Sequence, residues 1–143
     1  MGVADAVADE GAIRNLVAAI AQLADTGTID EYLGCFTADA VWEMPDNPAV
    51  GVPASRRVGH DEIRAGVIER RAAGLQGPGS NALHVITTVR VRVDGDQAHA
   101  HLYWLFYGDT STAPVLRSMG QYHDTFRRAD AGWQLAHRSV VIG

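Results

Sequence analysis

Cysteine is almost missing from this chain: Cys35 is the only one. That excludes an intrachain disulfide and any cysteine-based metal pattern. Long apolar runs are missing too. No stretch reaches the length that spans a bilayer, and the start, Met1-Gly2-Val3-Ala4-Asp5, lacks the basic residues of a secretory signal. A cytoplasmic protein without membrane contact is therefore expected. Positive charge is not in excess. The net charge is −5 with acids and bases interspersed, so no basic face offers itself to phosphate backbones and nucleic acid is not an expected partner. Internal repeats and low-complexity tracts are also absent. What is left is the composition of a folded domain. Hydrophobic residues are 47% and charged ones 20% of 143 residues, enough for one domain with a substantial core.

The most informative stretch is Leu83 to Val93. Its alternation and β-branched content predict a strand. Strict alternation puts Val85, Thr87, Val89, Val91 and Val93 on one face, and His84, Ile86, Thr88, Arg90 and Arg92 on the other. The two arginines can leave at the strand's far end, before the turn Asp94-Gly95-Asp96. His84 and Ile86 have no such exit and are expected to face an enclosed space. A histidine placed so is either a core residue with a hydrogen-bond partner or an acid/base lining a cavity.

Elsewhere the patterns are helical first and β later. Residues 1–10 are small and acidic and read as a flexible lead, with a single domain over 11–143. From Asp9 to about Ala24, Ile13, Leu16, Val17, Ile20 and Leu23 recur at helical spacing. Gly27 is expected to end that helix as a left-handed cap. A short helix from Asp30 and a strand over Val41–Met44 follow. Residues 45–58, with Pro45, Pro48, Pro53 and Gly51, read as a long loop, either a flap over a pocket or an interface arm. Gly59-His60-Asp61-Glu62 opens a third helix with Ile63, Val67 and Ile68 facing inward. Strands over Gln97–Tyr107, Arg117–Arg128 and Trp133–Ile142 complete an antiparallel meander. The expected class is α+β: about three N-terminal helices on one face of a cone-shaped, curved, mainly antiparallel sheet, whose mouth makes a small-molecule cavity.

Several segments, in order and at consistent spacing, carry a resemblance that covers nearly the whole chain. They are Leu23-Ala24-Asp25-Thr26-Gly27; Phe36-Thr37-Ala38-Asp39-Ala40-Val41-Trp42; Gly59-His60-Asp61-Glu62-Ile63; and His84-Val85-Ile86-Thr87-Thr88. Gly120-Gln121-Tyr122-His123-Asp124 and Gly132-Trp133-Gln134-Leu135-Ala136-His137-Arg138 follow. On these the chain resembles a SnoaL-like domain of the nuclear transport factor 2-like superfamily. That fold hosts dehydratases, isomerases, cyclases, dioxygenase small subunits and non-catalytic binders, so only the site can decide among them. The resemblance implies that Asp25 and His84 match the aspartate–histidine pair of scytalone dehydratase and hexachlorocyclohexane dehydrochlorinase. The imidazole would move the proton and the aspartate would orient it. Arg138 is similar to an arginine that steadies the leaving group in the dehydrochlorinase. The two tyrosines with which scytalone dehydratase polarises its substrate align with Ala24 and Met44, neither of which can donate a hydrogen bond.

Chemistry supports the pair independently. A carboxylate at a helix end can hold one ring nitrogen of a histidine on a facing strand, fix its tautomer and aim the other nitrogen into the cavity. The plain alternative is a buried hydrogen bond that only pins helix to sheet. Strand parity adds Trp104, Phe106, Tyr122 and Arg138 as further cavity walls, with Trp42 and Met44 opposite and Val67 or Ile68 on the helix side. Arg138 alternates with Ala136 and Val140, so its charge needs a partner such as Asp25 or Asp124. His99, His101 and His123 suffice in number for zinc, yet no supporting carboxylate or helical histidine spacing accompanies them. They read as solvated sheet-face residues.

The expectation is a cofactor-independent lyase or isomerase, without metal, acting on a small, cyclic, mostly apolar molecule. The alternatives are a non-catalytic ligand- or partner-binding domain and the small subunit of a ring-hydroxylating dioxygenase. Self-association as a homodimer or homotrimer is expected, because a sheet face carrying aromatics needs covering.

Overall fold

The computed structural model describes residues 2–143. Its helices are α1 (Val3–Thr26), α2 (Ile29–Leu33) and α3 (Gly59–Ala72). The strands are β1 (Phe36–Met44), β2 (Ser55–Val58), β3 (Leu83–Asp94), β4 (Gln97–Gly108), β5 (Val115–Ala129) and β6 (Gly132–Ile142). They form one open sheet in the order β2-β1-β6-β5-β4-β3. Only the β1–β6 pairing is parallel. The α+β class and the mainly antiparallel sheet are as the sequence predicts. β2 is an addition. Its four residues include Arg56 and Arg57 and alternate in burial, too short and too charged to stand out from the proline-rich segment before it.

Helix α1 buries Ile13, Val17, Ile20, Ala21 and Ala24, a stripe at the 3.6-residue period. These meet Phe36, Leu102, Phe126 and Leu135, each at most 1% exposed. The expected flexible lead over residues 1–10 is helical from Val3 onwards, although Met1 lies outside the described residues. Val3 and Val7 are exposed, so apolar periodicity could not reveal this turn. Asp9 anchors it instead: Arg128 donates to both carboxylate oxygens at 3.0 and 2.7 Å, and Trp133 Nε1 donates at 3.1 Å.

The end of α1 also differs from expectation. Gly27 is extended, with φ −87° and ψ 173°, and is not left-handed. Glycine is required there by proximity, since a Cβ would lie 2.6 Å from Leu23 Cδ2 and 2.9 Å from Leu23 Cα. No basic residue lies in the last turn of α1. Arg71 of α3 supplies the charge, donating to the carbonyls of Gly27, Leu23 and Ala24 at 2.9, 3.1 and 3.2 Å. A cation among a helix's last free carbonyls satisfies them and complements the dipole.

The strict two-residue alternation of β3 breaks at Thr88. Thr87 pairs with Tyr103 but Arg90 pairs with His101, so β3 carries one extra residue there. Thr88 has φ +55°. Such a bulge reverses the facing of everything beyond it. His84, Ile86, Val89, Val91 and Val93 therefore share the inner face, while Arg90 and Arg92 are exposed on the outer one. A second shift, between Thr125 and Phe126 in the β5–β6 pairing, lets both Leu135 and Arg138 face inward. On the outer face His101 stacks on His123 at 4.4 Å. Among the described residues no group of three or more His, Cys, Asp or Glu is arranged to hold a metal ion. None of the described helices is long and apolar enough to cross a membrane.

Candidate active site

Asp25 continues the buried stripe of α1, two helical repeats of four beyond Val17 through Ala21. It is 4% exposed. Its Oδ2 accepts the His84 backbone N–H at 2.9 Å, and its Oδ1 lies 2.6 Å from His84 Nδ1. An ionised carboxylate only accepts hydrogen bonds, so this contact assigns the proton to Nδ1 and leaves Nε2 without a protein partner. The ring packs against Phe106, with centroids 4.7 Å apart. The pair the sequence brings forward is thus assembled, one member at a capped helix end and the other before the bulge in β3.

Two chambers meet at this histidine. The deeper one is lined by Val17, Ile20, Ala21, Ala24, Tyr32 and Arg138, among others. The outer one holds about 540 Å³ of empty space, counting its open mouth. Trp42, Gln76, His84 and Tyr122 border both. Met44, Trp104 and Phe106 line the outer chamber, so six of the seven residues expected to contact a ligand face this space. Ile68 does not. It is 48% exposed, because a residue next to the buried Val67 is turned about a quarter of a circle round the helix. Helical spacing from Ile63 and Val67 leads to Arg70, which lines the outer chamber in its place.

The loop expected over 45–58 is also part of the wall. Asn47 and Val52 pair backbone to backbone, at 2.8 and 3.1 Å. Asn47, Val50 and Val52 line the mouth. Asn47 is 4% exposed and donates through Nδ2 to Ser118 Oγ at 3.0 Å, which ties the loop to β5.

Electrostatically the floor is neutralised. Arg138 and Asp124, 4% and 2% exposed, form a two-pronged pair at 2.9 and 2.8 Å. Burial alone would lower the Arg138 pKa. Attraction and hydrogen bonding to Asp124 outweigh it, and the net shift is upward. The guanidinium also sits 3.9 Å from the centre of the Tyr122 ring. Burial pushes the Tyr122 phenol up to about 12, a nearby Arg138 only moderating the effect. Tyr32, which the sequence places on the apolar side of the short second helix without a role in the site, is raised by burial as well. Both phenols are neutral donors at physiological pH, and neither has a hydrogen-bond partner among the described residues. Both line the deeper chamber beside His84, where Ala24 offers no hydrogen-bond donor. Trp104 Nε1 and Asn47 Oδ1 are buried and unpartnered too.

This architecture recurs among solved structures. An NTF2-like protein with a cystatin-like fold from Novosphingobium aromaticivorans is 24% identical, with a TM-score of 0.77 over 95% of this chain and 82% of that one. A candidate scytalone dehydratase from the same organism is 16% identical, with a TM-score of 0.75 over 96% and 85%. The β subunit of a candidate aromatic-ring-hydroxylating dioxygenase, also from that organism, is 19% identical, with a TM-score of 0.73 over 99% and 92%. At such identities the likeness shows the fold. No curated protein matches the chain. The sequence pattern of the SnoaL-like domain matches residues 5–139, nearly the whole chain, and the protein belongs to the SnoaL-like domain family.

Proposed function

We propose that the protein is a cofactor-independent lyase or isomerase, dehydratase-like in chemistry, acting on a cyclic and mostly apolar small molecule. The observation that carries this reading is the use of both Asp25 oxygens on His84, with Nε2 left free at the junction of a mostly apolar outer chamber and a deeper chamber of mixed polarity. In this reading Nε2 takes a proton from a carbon next to a substrate carbonyl. Asp25 stabilises the resulting imidazolium, and Tyr122 or Tyr32 donates to the carbonyl oxygen as negative charge develops there. For a β-hydroxy ketone the imidazolium returns the proton to the departing hydroxyl. One C–H and one C–O bond break, a C=C bond forms, and water leaves. For an isomerisation the same proton returns to a different carbon.

The test is deuterium exchange and elimination on a panel of cyclic ketones and β-hydroxy ketones in heavy water, followed by NMR. Turnover by wild type that His84→Ala abolishes is expected. Turnover unchanged in His84→Ala would overturn the assignment. The likeness to a dioxygenase β subunit supports a second reading, a partner domain for an iron-bearing chain. That reading predicts co-purification with such a chain from the native source. We also propose self-association as a homodimer or homotrimer through the outer sheet face. There Val85 and Met119 lie in one cross-strand row, Tyr103 and Val141 in the next, and all four are exposed. Sedimentation of wild type against Met119→Glu tests it.

A further inference from the structure

Arg70 is the cavity's one cation without a counter-ion among the described residues. It lies one turn beyond Val67 on the inward side of α3, lines the outer chamber with His84 and Tyr122, and stacks over the Trp42 ring at 4.7 Å. No carboxylate lies within ion-pair distance of it, and its guanidinium donates no hydrogen bond. The contrast with Arg138, gripped at two points by Asp124, is direct. Glu69 is the nearest candidate acid in sequence, but Arg57 holds it at 2.8 Å. Arg57 adds to the problem, because the two guanidinium groups converge above Gly66. A Cβ built there would lie 3.2 Å from Arg70 Nη1 and 3.4 Å from Arg57 Nε. Burial lowers the Arg70 pKa; Tyr32 and Tyr122 pull it back in part, Arg57 lowers it further, and Glu69 opposes only weakly.

A half-buried positive charge with no partner is unfavourable unless something brings the opposite charge. Around it the buried Trp104 Nε1 is an unpartnered donor and the Tyr122 hydroxyl can donate as well, beside two unpartnered acceptors, Asn47 Oδ1 and His84 Nε2. Apolar aromatic surface from Trp42, Trp104 and Phe106 completes the chamber. A neutral hydrocarbon ligand would leave the guanidinium uncompensated. A ring that carries an anionic oxygen would satisfy both halves of the wall.

We propose that Arg70 is the anion-binding pole of this cavity, and that its ligand is a cyclic acid: an aromatic or alicyclic ring bearing a carboxylate. The planar guanidinium is suited to two-point recognition of a carboxylate. The inference rests on the reading of this cavity as the substrate site and narrows the substrate from an apolar ring to a monoanionic one. It does not depend on His84 being a base.

The experiment compares 2-naphthoate with its neutral counterpart 2-naphthamide, binding each to the full chain by calorimetry and NMR. Wild type should bind the carboxylate at least about tenfold more tightly, the scale of one partly buried charge-assisted contact. Arg70→Gln should remove that preference while leaving amide binding within a few-fold of wild type. Arg70→Lys, which keeps the charge and loses the fork, should retain part of it. His84→Ala should keep the preference, so a failure of the acid/base assignment and a failure of the anion pole give different results. Equal binding of the two probes by wild type, binding of neither at millimolar concentration, or an undiminished preference in a folded Arg70→Gln would each overturn the proposal.

Discussion

Asp25 holds His84 at two points, the backbone N–H through Oδ2 and the ring Nδ1 through Oδ1. The consequence is a ring that cannot easily rotate or change tautomer without breaking a buried contact. Asp25 is itself held, because Arg71 satisfies the carbonyls at the end of its helix. The pair is therefore rigid on both sides, as a proton-transferring group needs to be.

Asp25→Asn should lower turnover by about a hundredfold, within the usual range for acid–base assistance, with substrate binding little changed. An asparagine can still meet the backbone N–H through its carbonyl oxygen. Its amide, however, presents a donor to Nδ1 and favours the wrong tautomer. ¹⁵N NMR of the His84 ring tests this: the Nδ1–H form should dominate in wild type and lose ground in the variant. An unchanged ring spectrum together with unchanged turnover would reduce Asp25 to a structural tie.

Tyr122 supplies a pH prediction. Its pKa is raised by burial from the ordinary 10.0 to about 12, so the folded state favours the neutral phenol more than the unfolded chain does. As pH rises past the unfolded value, the unfolded state releases its proton first. Stability then falls between these two values and levels off above the folded one. Tyr122→Phe should flatten this decline and remove the latest tyrosinate transition from an ultraviolet titration. Persistence of that transition in Tyr122→Phe would assign it to Tyr32, the other buried phenol.

Much of this site was legible because its members sit on regular elements. Alternation places Trp104, Phe106 and Tyr122 inward, as they are. Asp25 is reachable only through the resemblance, because the helix expected to end at about Ala24 runs on to Thr26 and keeps Asp25 on its buried stripe. Legibility ended where regularity did. Alternation carried through Thr88 groups His84 with Arg90, and one extra residue separates them. Ile68 is expected inward on hydrophobicity, whereas spacing from Ile63 and Val67 leads to Arg70, which lines the cavity. Asn47, Val50 and Val52 lie in a segment without periodicity, and their inward placement depends on long-range contacts such as Asn47 to Ser118.

The Arg138–Asp124 pair is buried on both sides, and each charge is tolerable only with the other present. Asp124→Leu or Arg138→Met alone should cost roughly 3–5 kcal/mol of stability. Asp124→Leu combined with Arg138→Met should cost much less than the sum of the single changes, since no orphaned charge remains. Urea unfolding of the four proteins closes the cycle. Simple additivity would mean that the pair contributes no coupling and that packing against Tyr122 dominates.

Thr88 ties stability to the site most directly. A β-branched residue at φ +55° is strained, and among the described residues the other non-glycine positions with positive φ are Asn81 and Asp109, types that tolerate it. Thr88→Asn and Thr88→Gly should each stabilise the fold by about 1 kcal/mol, raising Tm by a few degrees with activity retained. Deleting Thr88 should do the opposite. Without the extra residue, His84 and the valines at 89, 91 and 93 cannot all face inward. Either the core or His84 is then displaced. Loss of turnover with a cooperative but lowered melt would show that the bulge exists to bring His84 to Asp25. A deletion variant with native stability and activity would show that β3 can slip without cost, and that the bulge does not set the facing of the site.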